Sequence, residues 1–349
     1  MGSKDNNIQN VNAPYVSVII PMRNEEQHIE NCIDSIFRND YPDDRLEVLV
    51  VDGRSDDDSK NIVEKFVSNR KNVRILDNPK RIIPTALNIG IQEAQGDVII
   101  RMDAHSIYDE KFISKCVNLL ESKGAANVGG VLEAVGKNYI GNAIAIATTN
   151  PFGVGDALYR YGDKERWVDT VFPGAWYKKT FEAIGGFNEE MVVNQDYELN
   201  YRLREAGGKI LLSPDIRCRY FVRSSIFALM RQYFRYGYWK VKTLVLHPDS
   251  LRWRQIVAPL FVLGLLVSIL LIPVSVTAAL IIPGLYVIFN IFASTTAVAR
   301  RGFRYLPVIP FLFLIIHLSW GLGFLGGIMK FGFPKFTVRS IRNALRKIF

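Results

Sequence analysis

Asp103, Ala104 and His105 end the run Asp97-Val98-Ile99-Ile100-Arg101-Met102. That run has the character of a short buried strand, and residues two apart at its tip project to the same side. A carboxylate and an imidazole placed in this way can share one divalent cation, and such a cation neutralises a diphosphate as it leaves. An all-oxygen site suits Mg2+ or Mn2+, and the imidazole tilts the choice toward Mn2+. The plainer reading makes Asp103 a cap of the next loop and His105 a surface residue.

Three other groups carry possible chemistry. Asp52-Gly53-x-Ser55-x-Asp57 puts a carboxylate before a polar turn, able to bind an imide or a ribose; an ordinary strand-to-helix turn capped by Asp57 or Asp58 fits equally well. Gln195-Asp196 opens a helical stretch. Asp196 is either a plain cap or the general base for an acceptor hydroxyl. Gln232-x-x-Arg235-Tyr236 puts Gln232 and Arg235 on one helix face, where they could meet a phosphate together; a snorkelling Arg at a membrane is the alternative.

The elements that must position these residues alternate in type. Strands are expected at Tyr15 to Pro21, Leu46 to Val51, Val73 to Leu76 and Val98 to Met102. Helices are expected at Glu25 to Arg38, Ser59 to Val67 and Thr85 to Ala94. This alternation predicts an α/β fold with a mostly parallel central sheet, and ligands of such sheets sit at the carboxyl ends of strands. Asp52 and Asp103 both fall there. A helix at Lys111 to Lys123, a strand at Ala126 to Val135 and a helix at Tyr197 to Glu205 follow. Ile144 to Asp169, rich in Gly, Thr, Asn and Tyr, shows no period and is expected to be a loop at the site.

Charge and hydropathy divide the chain. No Asp or Glu follows Asp249, whereas eleven Lys and Arg do, so the basic excess lies wholly in the most apolar part. Basic residues flanking apolar runs point to anionic lipid headgroups rather than to nucleic acid. Ser225 to Lys242 mixes aromatic and basic residues, as an interfacial amphipathic helix does. Ile256 to Ala299 is 44 residues without a charge. A span takes about 20 residues, so this is two spans, and Leu306 to Met329 is long enough for a third. Arg252 and Arg254 before the first span, and Arg300, Arg301 and Arg304 after the second, argue for one cytoplasmic side. A third full span would put Lys330, Lys335, Arg339, Arg342, Arg346 and Lys347 on the other side, against the positive-inside tendency. Either that tendency is broken or Leu306 to Met329 is re-entrant or interfacial; length favours three spans. Cys32, Cys116 and Cys218 are odd in number, have no metal-binding spacing and argue against a disulfide framework, which fits a reduced compartment. Met1 to Ala13 lacks an apolar run and reads as a disordered lead-in.

Taken together, these motifs resemble one family. Val18-Ile19-Ile20-Pro21-x-Arg23-Asn24-Glu25 is similar to the opening of the inverting, family-2 glycosyltransferases of the GT-A fold. Asp52-Gly53-x-Ser55 resembles their nucleotide-binding turn, and Asn88-x-Gly90-x-x-x-Ala94-x-Gly96-Asp97 the run before their D-x-D motif. Gln195-Asp196 sits where the family has its Glu-Asp base, and Gln232-Tyr233-Phe234-Arg235-Tyr236 resembles its Q-x-x-R-W signature. The likeness covers about residues 15–240 and is nearest to succinoglycan-type exopolysaccharide glucosyltransferases, which also carry Asp-Ala-His. His105, Gln195 and Tyr236 depart from the family's Asp, Glu and Trp, and the last departure favours non-processive transfer.

The resemblance implies the following organisation. A GT-A catalytic domain (15–224) follows a disordered lead-in (1–14). An interfacial segment (225–255), a membrane region of two or three spans (256–329) and a basic tail (330–349) come after it. Pro21, Asn24, Glu25, Asp52 and Asp103 bind a nucleotide-diphosphate sugar, and Asp103 and His105 hold Mn2+ or Mg2+. Asp196 deprotonates the acceptor, while Gln232 and Arg235 contact the diphosphate or the acceptor. Arg81 is a weaker candidate for a phosphate contact. The acceptor is a polyprenyl-linked saccharide, and the protein sits multi-pass in the cell (inner) membrane with its catalytic domain cytoplasmic. Two alternatives stand beside this: a polyprenyl-phosphate sugar synthase, and a non-catalytic membrane scaffold with a degenerate transferase domain.

Overall fold

Alternation of buried β-branched residues builds the centre of the molecule. The computed structural model describes residues 13–299 and 301–345; most of the expected lead-in and the end of the basic tail lie outside them. Strands β1 (Val16–Met22), β2 (Leu46–Asp52), β3 (Val73–Asp77) and β4 (Val98–Arg101) alternate with α1 (Ile29–Phe37), α2 (Ser59–Asn69) and α3 (Ile83–Glu93). Helix α1 starts at Ile29 rather than Glu25, since His28 at φ −133° lies outside helical geometry and the segment before it is stitched to the next loop. Glu25 N donates to Ser59 Oγ at 2.7 Å and Glu26 N to Asp57 Oδ2 at 3.2 Å.

The chain continues through β5 (Ser106–Tyr108), α4 (Phe112–Lys123), β6 (Asn127–Val135), α5 (Tyr139–Thr148), α6 (Pro151–Val154), β7 (Arg166–Val168) and β8 (Gly174–Tyr177). Then come α7 (Lys178–Ile184), α8 (Gln195–Glu205) and β9 (Ile210–Phe221). The sheet order is β3-β2-β1-β4-β8-β6-β9-β5, with β7 also on β9. The β3-β2-β1-β4 half is parallel, as expected. Beyond β4 the sheet is mixed: β8 is antiparallel to β4 and β6, and β9 is antiparallel to β5 and β7 but parallel to β6.

Odd and even positions of the strands feed two cores. Val16, Val18 and Ile20 of β1 pack with Cys32, Ile33 and Ile36 of α1 and with Phe112 and Cys116 of α4. Ile19, Leu49 and Ile99 face the other way, onto Leu87 of α3 and Leu199 and Leu203 of α8. Gly90 is what lets α3 lie on the sheet, since a Cβ there would come within 2.4 Å of Ile19. All three cysteines are buried and unpaired.

Ile144 to Asp169 is not the loop that its lack of period predicts. Helix α5 buries seven of its ten residues, so it has no polar face to set a 3.6-residue rhythm. It packs in a third core with α9 (Ile226–Leu246), α11 (Val276–Ala299) and α12 (Ile309–Phe331). With α10 (Arg254–Leu271), helices α11 and α12 are long and apolar enough to cross a membrane. A short α13 (Val338–Leu345) follows.

Helices α9 and α12 approach backbone to backbone. A Cβ on Gly237 would lie 2.0 Å from the Trp320 carbonyl oxygen, and one on Gly323 2.1 Å from that of Phe234. Gly237→Leu or Gly323→Leu should therefore cost at least about 1–3 kcal/mol by overpacking, seen as a lower unfolding midpoint in detergent. Gly284→Ala, with nothing within 4 Å of the added carbon, should leave the midpoint in place.

Candidate active site

The carboxyl ends of β1, β2 and β4 lie side by side, and the strand order reverses between β1 and β4, where open sheets form ligand crevices. Asp52 ends β2 opposite Met22. Its buried carboxylate accepts from Ser55 Oγ at 2.6 Å and from Ser55 N at 3.1 Å. Asn24, held in the left-handed region at φ 56°, receives Asp56 N on its Oδ1 at 3.1 Å. Its own amide donates to Ser55 Oγ at 3.0 Å. The loops after β1 and β2 thus form one stitched wall that contains Asn24, Glu25 and Asp52, with Pro21 paired to Val51 at its root.

Across β1 from that wall is a group that the sequence reading passed over. Arg101 lies on β4 with the parity of Ile99, whose face packs against α8, so its side chain points at the start of α8. The buried guanidinium bonds the Asp196 carboxylate through Nη1. Nη2 and Nε bond Asp103 Oδ1 at 3.0 and 3.2 Å. Its carbon stands 4.5 Å from the centroid of the Phe172 ring. One cation therefore ties Asp103 to Asp196, 93 positions apart in sequence. An Arg within an apolar strand, just before two chemically apt residues, was the available signal.

His105 turns Nδ1 to Glu25 Oε1 at 3.0 Å and packs its ring 5.4 Å from Tyr220. Burial disfavours the charged ring, but the Glu25 hydrogen bond and the Asp103 charge outweigh it, and the pKa is raised. Burial also raises Asp196, with Asp103 adding to the rise and Arg101 opposing it. Asp196 is the second residue of α8, entered from Asn194 at φ 67°. Asn194 Nδ2 donates to the Tyr236 carbonyl at 3.1 Å, which docks the Gln232–Tyr236 segment of α9 against the Asp196 turn. Gln232 Nε2 donates to Tyr236 Oη at 2.8 Å, whereas Arg235 is exposed. Arg81 is exposed too, at φ 58° in the turn after Asn78.

A second cation was also missed. Arg160, on the 3-10 turn Leu158–Arg160, lies among Tyr159, Tyr220, Tyr233 and Tyr236. It has no ion pair or side-chain hydrogen bond among the described residues. Tyr220 links it to the His105 side of the cleft.

A divalent cation fits the donor set on one condition. No three His, Cys, Asp or Glu side chains converge among the described residues. Among those residues, Asp103 Oδ2 and His105 Nε2 have no protein partner, while Arg101 and Glu25 fix the opposite atom of each side chain. Two protein donors completed by phosphate oxygens and water is how hard cations usually bind nucleotide phosphates. The Glu25–His105 bond is the orienting contact such ligands need.

A parallel nucleotide-type half sheet, a mixed second half and acidic loops at the switch point define a GT-A glycosyltransferase. Residues 17–182 match the model of Glycosyl transferase family 2. The chain is 30% identical to the succinoglycan biosynthesis protein ExoA of Rhizobium meliloti (strain 1021), over 90% of this chain and 95% of that one. The chain belongs to glycosyl transferase family 2. It is 26% identical, over 90% of its length and 98% of the relative's, to the dolichyl N-acetyl-alpha-D-glucosaminyl phosphate 3-beta-D-2,3-diacetamido-2,3-dideoxy-beta-D-glucuronosyltransferase of Methanococcus voltae. The mannosyltransferase PcManGT of Pyrobaculum calidifontis, solved in complex with GDP-Man and Mn2+, shares the fold. The TM-score is 0.55 at 18% identity, covering 97% of this chain and 89% of that one.

Removing Arg101 leaves two buried like charges facing each other. Losing one partner of a buried ion pair costs about 3–5 kcal/mol, so Arg101→Met should lower the unfolding midpoint clearly. Asp103→Asn, which keeps the shape and leaves Arg101 paired to Asp196, should lower it less. Thermal unfolding of both variants in detergent checks the order.

Proposed function

We propose that the protein transfers a sugar from a nucleoside-diphosphate donor to a lipid-linked saccharide at a membrane, with inversion, as a step in polysaccharide or glycan assembly. The observation that carries this reading is the Arg101 bridge, which brings Asp196 beside Asp103. A base for the acceptor hydroxyl and a ligand of the diphosphate group must sit on either side of one anomeric carbon. The names of the relatives support the product class: one is a succinoglycan biosynthesis protein, and another acts on a dolichyl phosphate-linked sugar.

In this reading Asp52, Asn24, Pro21 and Glu25 form the nucleotide wall, with Glu25 also orienting His105. Asp103 and His105 hold the divalent cation, which supplies charge neutralisation for the leaving diphosphate. The Mn2+ in the mannosyltransferase of similar fold agrees with that choice. Asp196 takes the acceptor proton at its carboxylate. Arg101 holds that carboxylate toward the cleft, and Phe172 covers Arg101 from the apolar side. Gln232 and Tyr236 line the acceptor side, and Arg160 is available to a phosphate oxygen. A catalytic domain facing the cytoplasm of the cell membrane completes the reading.

One observation favours a second reading. The unpaired Arg160 beside α9 could hold a lipid phosphate that is itself the acceptor, as in a polyprenyl-phosphate sugar synthase. A phosphate nucleophile needs little base help. The experiment is transfer by the full chain in lipid, with a donor panel, with and without Mn2+. Asp196→Asn should lower kcat by about 10²–10⁴-fold, and Asp103→Ala should abolish metal-dependent transfer. Transfer that survives Asp196→Asn but not Asp103→Ala would select the lipid-phosphate acceptor. No turnover and no metal-dependent nucleotide binding would leave the scaffold.

The pH profile has a definite sign. Burial raises Asp196, so it stays protonated, and useless as a base, to a higher pH than an ordinary carboxyl group. The acid limb of kcat/KM should lie above the usual carboxylate range. Arg101→Gln removes the opposing charge and should move that limb further up.

A further inference from the structure

We infer that only α10 and α11 cross the membrane, and that α12 lies in the plane of an anionic lipid surface together with α9 and α13, so the basic C-terminal segment is on the catalytic side. The inference rests on the membrane-bound reading above.

Both ends of the α10–α11 pair meet the catalytic domain. At the start of α10, Arg254 bonds Asp156 and also reaches Asp169 at 2.9 Å, and Arg252 lies 3.5 Å from Asp169. At the end of α11, Val298 is buried in the core that holds α5, and just beyond it Tyr139 Oη donates to the Arg304 carbonyl at 2.5 Å. The turn around Val274 is the far tip of this hairpin.

Helix α12 behaves differently. Its first half packs on α5 and α6: His317 Nε2 is 2.8 Å from the Phe152 carbonyl, and the Phe152 and Phe313 rings are 5.0 Å apart. Its second half follows α9, from Gly323 at Phe234 to Gly327 at Tyr238, and Phe331 reaches the Tyr238 ring at 5.0 Å. Gly321 meets Ala258 in the first turns of α10. The far end is then tied down again. Only residues 332–337 separate α12 from α13, a reach of at most about 20 Å. Thr337 Oγ1 and Ser340 Oγ each bond Asp249 at 2.7 Å, and Arg339 pairs with Glu205 of α8 at 3.0 Å. A helix about 34 Å long by its rise that both starts and ends on the catalytic domain does not cross a bilayer.

Its exposed apolar side chains, Phe311, Leu322 and Met329, fall on one face, while nine of its residues are buried and, apart from exposed Lys330, the others are half-buried. Helices α10 and α11 by contrast expose apolar side chains over most of their surface, as lipid-surrounded spans do. The charge pattern names the surface: Arg301, Arg304, Lys330, Lys335 and Arg342 are exposed around this platform, and no acidic residue follows Asp249. Anionic headgroups complement that edge. With α12 in the plane, the positive-inside tendency holds throughout.

The test is single cysteines labelled with a membrane-impermeant maleimide in sealed vesicles, since the three native thiols are buried. Lys71→Cys marks the catalytic domain, Val274→Cys the hairpin tip, Lys330→Cys the exposed last turn of α12 and Lys335→Cys an exposed position just after it. The expected result is that Lys71→Cys, Lys330→Cys and Lys335→Cys label from one face and Val274→Cys only from the other. Labelling of Lys330→Cys or Lys335→Cys from the Val274 face would overturn the inference. Labelling of all four positions from one face would overturn the crossing of α10 and α11, whereas failure of the chain to stay with the vesicles would overturn the membrane-bound reading.

Discussion

Two carboxylates that repel each other are held side by side by a single guanidinium. Arg101 is almost entirely buried, and both its partners are mostly buried, so the three charges depend on one another. A buried cation between two anions is stable only if each is hydrogen-bonded in fixed geometry. That requirement constrains much else: β4 must present Arg101 on the α8 side, α8 must begin at Gln195, and Phe172 must close over the guanidinium.

The start of α8 is in turn fixed by α9 and the segment that follows it. Asn194 bonds the backbone of α9. Buried Glu198 on α8 is held by Arg202 at 2.8 Å and by His247, just past α9, at 2.9 Å. Lys240 lies 3.2 Å from the centroid of the Tyr197 ring. Arg254 carries this on to α10 through Asp156 and Asp169. The proposed base, α9 and the start of α10 are therefore one packed body. A lipid-borne acceptor would reach the cleft at a height set by α9 and α12.

The first hundred residues were legible because local pattern and tertiary environment agree there. Four strands and three helices fall within a few residues of where their apolar rhythm puts them. The main shift is at α1, where Glu25 and Glu26 bond across to the next loop instead of opening the helix. Residues 139–154 were not legible, because a helix buried on nearly every side shows no period. The antiparallel β8 was not legible either, since nothing local in Gly174–Tyr177 says which strand it will pair with.

The sequence alone determined the family-type motifs, the carboxylates at strand ends and the separation of charge at Asp249, because these depend on residue type and spacing. Tertiary structure decided the rest. It joined Arg101 to Asp196, set Glu25 on His105 and spent Arg252 and Arg254 on Asp169 rather than on lipid. It also laid α12 along α9. Each of these is a contact between residues far apart in the chain, and an apolar helix of spanning length reads the same whether it crosses a bilayer or lies upon it.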